Sequence, residues 1–105
     1  MSWNVSYAQK AQNDLRGIYE YIAYNLFVPT TAKKQVRAIM EEISKLDENP
    51  LRFPVYRNEP WKSKGLRTFH VNNYMVFYMP DEAKKTVTVV RIMYGGRNID
   101  KELNN

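Results

Sequence analysis

The chain reads as an α+β domain, a helical hairpin laid on one face of a mostly antiparallel four-stranded sheet. Three features of the sequence lead there. Two stretches at helical spacing are joined by a short proline-marked link, strand-like runs follow one another in the last forty positions, and a brief period-two run comes first. Runs of helices and runs of strands segregated in this way build α+β architectures. With 105 residues, of which 44% are hydrophobic, a single domain over 1–105 is expected.

At the start, Trp3, Val5 and Tyr7 alternate with Asn4 and Ser6, the signature of a short strand. From Ala8 the period lengthens. Ala11, Leu15, Ile18, Ile22 and Leu26 form a helical stripe that Tyr19 widens, with Gln9, Asn13, Arg16 and Glu20 off it. Pro29 disfavours helix in the residue before it and suits the first turn of the next one. Ala32, Val36, Ile39, Ile43 and Leu46 make the second stripe, which Pro50 closes. So short a connection predicts an antiparallel hairpin of helices.

Residues 49–65 hold Pro50, Pro54, Pro60 and Gly65, which predicts an extended connection outside the core. Three strands then follow, 66–71, 74–79 and 86–93. Asn72-Asn73 serves as a tight turn because asparagine tolerates positive φ. The last run, rich in Val, Thr and Ile, reads as a central strand. After Gly95-Gly96 a polar tail of 98–105 has room for one helical turn.

Composition narrows the chemistry. The net charge of +5 favours an anionic partner, whether nucleic acid, ribosome, membrane surface or acidic protein, without choosing among them. Without cysteine and with His70 alone, neither a disulfide framework nor a multi-histidine metal site is expected, and no cofactor is implied. No basic-then-apolar leader opens the chain, and no apolar run approaches the ~20 residues of a bilayer span. A soluble, cytoplasmic protein is expected.

The strands are apolar on both faces. Tyr74, Val76 and Tyr78 point one way, and Met75, Phe77 and Met79 the other. An antiparallel sheet with one wet face alternates apolar with polar, and two helices cover one face only. The second face is therefore expected to be open, with Met75, Phe77 and Met79 waiting for a partner segment. Partial exposure of these side chains, or sharing through a homodimer, are the alternatives.

Here the motifs become recognisable. Leu15-Arg16-Gly17-Ile18-Tyr19-Glu20-Tyr21-Ile22, Pro29 with Ala32, and the Asn49-Pro50 stop resemble the first half of RelE/ParE toxins. Gly65-Leu66-Arg67, Asn73-Tyr74 with Phe77-Tyr78, and Val90-Arg91-Ile92-Met93-Tyr94-Gly95-Gly96-Arg97 resemble that superfamily's strand signatures, in order. The likeness covers nearly the whole chain. It implies the toxin of a type II toxin–antitoxin pair, a cognate antitoxin that wraps it, and inhibition of bacterial growth by the free protein. Two activities live on this fold: ParE-like members poison DNA gyrase, and RelE-like members cut mRNA on the ribosome.

Metal-free RNA cleavage needs a base for the 2′-hydroxyl, cations for the phosphorane and an acid for the leaving oxygen. Arg67, His70, Tyr94 and Arg97 are the set this chain offers near the sheet end, with Lys62, Lys64, Arg67 and Arg97 as contacts for a target or nucleic acid. Gly95-Gly96 presents Arg97 at the end of a strand. Lys62 and Lys64 share their loop with Arg57 and an interleaved Trp61. RelE-like enzymes carry an arginine directly after the tyrosine that opens the middle strand, where this chain has Met75, and a thioether binds no phosphate. Some ribosome-dependent relatives end in a His-Tyr or a Tyr that 99–105 lacks. The ParE-like reading is therefore favoured, the ribosome-dependent nuclease comes second, and a non-toxic binding module third. Arg91, mid-strand among valines, is expected to pair with Asp14 or Glu20 of the first helix, since an unpaired buried charge is costly.

Overall fold

A computed structural model of the protein describes residues 2–96 and 98–104. Strand β1 (Asn4–Tyr7) leads into helix α1 (Gln9–Glu20), which widens into a π-helical turn (Tyr21–Asn25). Helix α2 (Pro29–Ser44) ends in a 3₁₀ turn (Lys45–Asp47), and a single turn, α3 (Trp61–Lys64), lies in the long connection. Strands β2 (Arg67–Val71), β3 (Tyr74–Asp81) and β4 (Thr86–Tyr94) follow, and the tail forms α4 (Ile99–Leu103). In the sheet the order is β1-β4-β3-β2, with β1 parallel to β4 and the other pairs antiparallel. The α+β architecture is the one the sequence predicts.

Pro29 occupies the first turn of α2, where no N–H is needed. The hairpin delivers Ala11, Ile39, Ile43 and Leu46 onto Val76, Tyr78, Val87, Val89 and Ile92 of the sheet, all buried. Leu26 departs from its stripe: it is 52% exposed. The cause is the π turn, in which Leu26 donates its N–H to Tyr21 O at 3.1 Å, five residues back. An extra residue per turn carries Leu26 past the buried face. The tight turn between β2 and β3 is made as expected, with Asn72 at φ 54°.

Tyr78 is fully buried, and its hydroxyl donates to Pro50 O at 2.6 Å. Burial pushes this phenol from 10.0 up to about 12. A raised folded value means that its stabilisation is whole below pH 10 and is lost as pH rises through about 12. Tyr78→Phe should cost about 1 kcal/mol near neutrality, through the orphaned carbonyl. The same variant should flatten the decline in stability above pH 10, read by urea melts across that range.

The expectation of an open second face is corrected. Phe77 is 0% exposed and Met93 3%, in a second core with Tyr56, Leu66 and Leu103. Half-buried Trp61, Met75, Met79, Val90 and Ile99 pack around it. Its cover comes from two segments that composition alone dismissed. The proline-rich connection is not merely outside: Tyr56 N donates to Leu66 O at 2.7 Å, Thr68 N to Pro54 O at 3.2 Å, and Val55 bridges Arg67. It pairs along the outer edge of β2 and drops the Tyr56 ring edge-on against Phe77, with centroids 5.6 Å apart. The tail is polar by count, yet Ile99 and Leu103 lie four apart and so share one helix face. Position, not composition, decides what a single helical turn can seal.

α4 is fastened at both ends. Tyr56 Oη donates to Asp100 Oδ1 at 2.6 Å, and Asn58 Nδ2 reaches both Asp100 oxygens at 3.1 and 3.0 Å. These bonds hold the Asp100 carboxyl below its ordinary range, hydrogen bonding from Tyr56 being the largest cause. At the far end Arg91 Nη1 donates to Glu102 O at 2.9 Å.

Candidate functional site

Strand parity places each residue of the expected catalytic set. Arg67 stands opposite Tyr78, so it belongs to the helix-covered face. Its Nη1 donates to Leu51 O at 3.1 Å and to Phe53 O at 2.5 Å. The guanidinium thus ties the proline-rich connection to the sheet. His70, three positions on, stands opposite Met75, whose β4 partner is Met93, and projects exposed from the other face. Tyr94 pairs with Tyr74 on the helix side, their rings 5.7 Å apart at 76°. Arg97 lies outside the described residues. The described members of the set therefore do not converge: Arg67 and Tyr94 sit on one face and His70 on the other, and Arg67 is engaged by carbonyls.

Lys62 and Lys64 sit exposed on α3, with Lys64 Nζ 4.9 Å from the centre of the Trp61 ring. Lys64 lines a groove with Lys10, Met79, Val90 and Leu103. Of the three residues expected to receive a partner, Met75 and Met79 keep partial exposure and Phe77 has none. Among the described residues, no group of three His, Asp or Glu stands together as a metal site would require. No helix described is long and apolar enough to cross a membrane.

Arg91 pairs with Asp14, as expected, and not with Glu20. The contact is bidentate, Nε to Oδ2 at 2.8 Å and Nη2 to Oδ1 at 3.1 Å. Asp14 Oδ2 also accepts the Ile92 N–H at 2.9 Å. The β3–β4 register explains the geometry. Phe77 pairs with Arg91 but Tyr78 with Val89, so Val90 is an extra residue. Such a bulge bends the strand and redirects its side chains. Asp14 raises the Arg91 guanidinium further above its ordinary value. Arg91 is thereby a clamp joining α1, β4 and α4.

Helical periodicity does not flag the tip of the helical hairpin. Phe27 is 82% exposed, Tyr24 64% and Tyr21 55%, with Leu26 and Val28 also exposed beside them. Phe27 holds φ at 59°, a conformation that side chains larger than asparagine seldom adopt. The Tyr24 ring meets Tyr19 edge-on at 82°. Tyr19 in turn lines a groove with Lys33, Val36, Arg37, Met40, Glu41 and Ser44. The available signal was Leu26-Phe27-Val28, three consecutive apolar residues at a helix end.

Comparison with known proteins decides the family. Residues 5–99 match the model of the ParE toxin of the type II toxin–antitoxin system parDE. The chain belongs to this family. It is a ParE-type toxin, and solved structures carry the same fold. The chromosomal ParDE system of Pseudomonas aeruginosa aligns with a TM-score of 0.72 at 23% identity, covering 89% of this chain and 96% of that one. The toxin–antitoxin complex RelBE2 from Mycobacterium tuberculosis gives 0.67 at 21%, covering 90% and 92%. The isolated Escherichia coli RelE toxin gives 0.61 at 14%, covering 98% and 96%. No curated protein sequence matches the chain.

Proposed function

We propose that this toxin arrests bacterial growth by binding DNA gyrase in the cytoplasm, and that a cognate antitoxin neutralises it. One observation carries the choice of a binding mechanism over RNA cleavage, namely that the described members of the candidate set are divided between the two faces of the sheet, Arg67 and Tyr94 on one and His70 on the other. Arg67 spends its donors on Leu51 and Phe53 carbonyls, and Met75 stands where a phosphate-binding arginine would serve a nuclease. Phosphorane stabilisation requires charges aimed at one point. The family match supports the gyrase reading. The antitoxin partner is supported by the relatives from P. aeruginosa and M. tuberculosis, which are toxin–antitoxin systems. Its wrapping segment can reach Met75 and Met79 at the margins of the second core, while Phe77 is out of reach.

Supercoiling by purified gyrase, with and without the toxin, is the deciding assay. Loss of supercoiling or trapped cleavage complexes supports the proposal, and full activity at stoichiometric excess rejects it. Transcript ends mapped after brief induction test the RelE-like alternative, which demands cuts within translated mRNA. Harmless induction would favour a binding module without toxicity. Under the proposal, His70→Ala and Tyr94→Phe should leave growth inhibition unchanged in a plating assay; a loss of toxicity by either folded variant would return RNA chemistry to consideration.

A further inference from the structure

We propose that the tip of the helical hairpin is the surface by which this toxin grips its target, and that it fits an acidic protein surface bearing an apolar crevice. The inference rests on the binding mechanism proposed above and names the surface that performs it.

Exposed apolar side chains are concentrated there. Tyr21, Tyr24, Leu26, Phe27 and Val28 fall within eight residues, and Met40 continues the strip along α2. Among the described residues the other exposed large apolar groups are Leu51, Val55 and Tyr94, the first two at 37%, so the run of five at the tip stands out from ordinary scatter. Two backbone departures create it. The π turn rotates Leu26 outward, and the positive φ of Phe27 throws a ring into solvent at the apex. Both conformations are disfavoured, and such strain collects where function holds it.

Charge selects the partner. Residues 21–40 contain Lys33, Lys34 and Arg37 and no aspartate or glutamate. Lys33 and Arg37 line the groove with Tyr19, Val36 and Met40, and Glu41 stands at its far end from the apex, just beyond this basic segment. Aromatic anchors in an apolar strip with basic neighbours match the energetic centre of a protein interface. A second copy of this chain would bring the same three cations against these. A nucleic acid stacks its bases on ring faces, and although Tyr21, Tyr24 and Phe27 are exposed, they are interrupted by aliphatic Leu26, Val28 and Met40, on which no base stacks. An acidic protein surface satisfies both the strip and its rim.

The test uses the full toxin, purified gyrase and two variants, Tyr24→Ser/Phe27→Gly and Lys33→Glu/Arg37→Glu. Each should raise the toxin concentration for half-inhibition of supercoiling by about 30-fold or more, the loss that removing an interface anchor produces. Both should remain folded, and Phe27→Gly should melt no lower than the parent because glycine accepts the apex φ without strain. Inhibition equal to wild type by both variants overturns the assignment. Should wild-type toxin leave gyrase untouched, the gyrase reading fails by itself, and growth inhibition then judges the tip: folded but harmless variants uphold it, and fully toxic ones overturn it. A gel shift of the plasmid without gyrase that the variants abolish would give the tip to nucleic acid. A wild-type dimer that they dissociate in sedimentation would make it a self-interface. Either result overturns the proposal.

Discussion

Phe77→Ala is expected to destabilise the toxin by about 3–5 kcal/mol, the usual cost of emptying a buried phenylalanine site. The side chain is fully enclosed on the face away from the helical hairpin, beneath Tyr56, Leu66 and Leu103. Collapse around the void is restricted on every side. Tyr56 is held by Asp100, α4 by Arg91, and β3 lies between two paired strands. Met75→Ala and Met79→Ala, at half-buried positions of the same face, should cost clearly less. Urea melts of the three variants give the ranking. A penalty for Phe77→Ala below about 1 kcal/mol would mean that the second core is not packed as described.

Asp14→Ala is expected to cost about 3 kcal/mol, the low end for breaking a buried ion pair, because a little of each side chain reaches solvent. Three groups lose their partner at once: Arg91 Nε, Arg91 Nη2 and the Ile92 N–H. Most of the penalty is the guanidinium left charged in a low-dielectric site, not the absent attraction. Asp14→Ala/Arg91→Met should therefore recover much of the stability that Asp14→Ala loses, with the Ile92 N–H and the Glu102 carbonyl accounting for the remainder. A double variant no more stable than Asp14→Ala would show that the carboxylate acts mainly through the backbone of β4. Either way α4 loosens, since Arg91 also holds the Glu102 carbonyl.

What was legible in the sequence was what repeats locally. Helix and strand periods place the hairpin and the four strands, and Pro29 marks the start of α2. The Asp14–Arg91 pair was legible for a different reason: a cation inside an apolar strand must find a carboxylate, and the first helix offers few. The division of Arg67 from His70 is legible too, since the two are an odd number of positions apart on one strand and so face opposite ways. The sealed second face was not legible from composition. A tail that is mostly polar covers Phe77 with two residues, and a stretch whose prolines suggest a bare connection contributes Tyr56 and Trp61. The apex is masked by a change of phase: a 3.6-residue stripe runs on to Leu26, whereas the turn before it has lost that period.

The parallel pairing of β1 with β4 has a consequence for how the toxin comes into being. Asn4 finds its place against Thr86, so β1 must wait for β4 before the sheet can close. Pairings so distant in sequence are slow to form because the intervening chain must give up its freedom first. β4 is also the strand that joins β1 to β3, so a chain that stops before residue 86 cannot complete the sheet. The interval between translation of residue 7 and residue 94 is a window in which β1 has no partner strand.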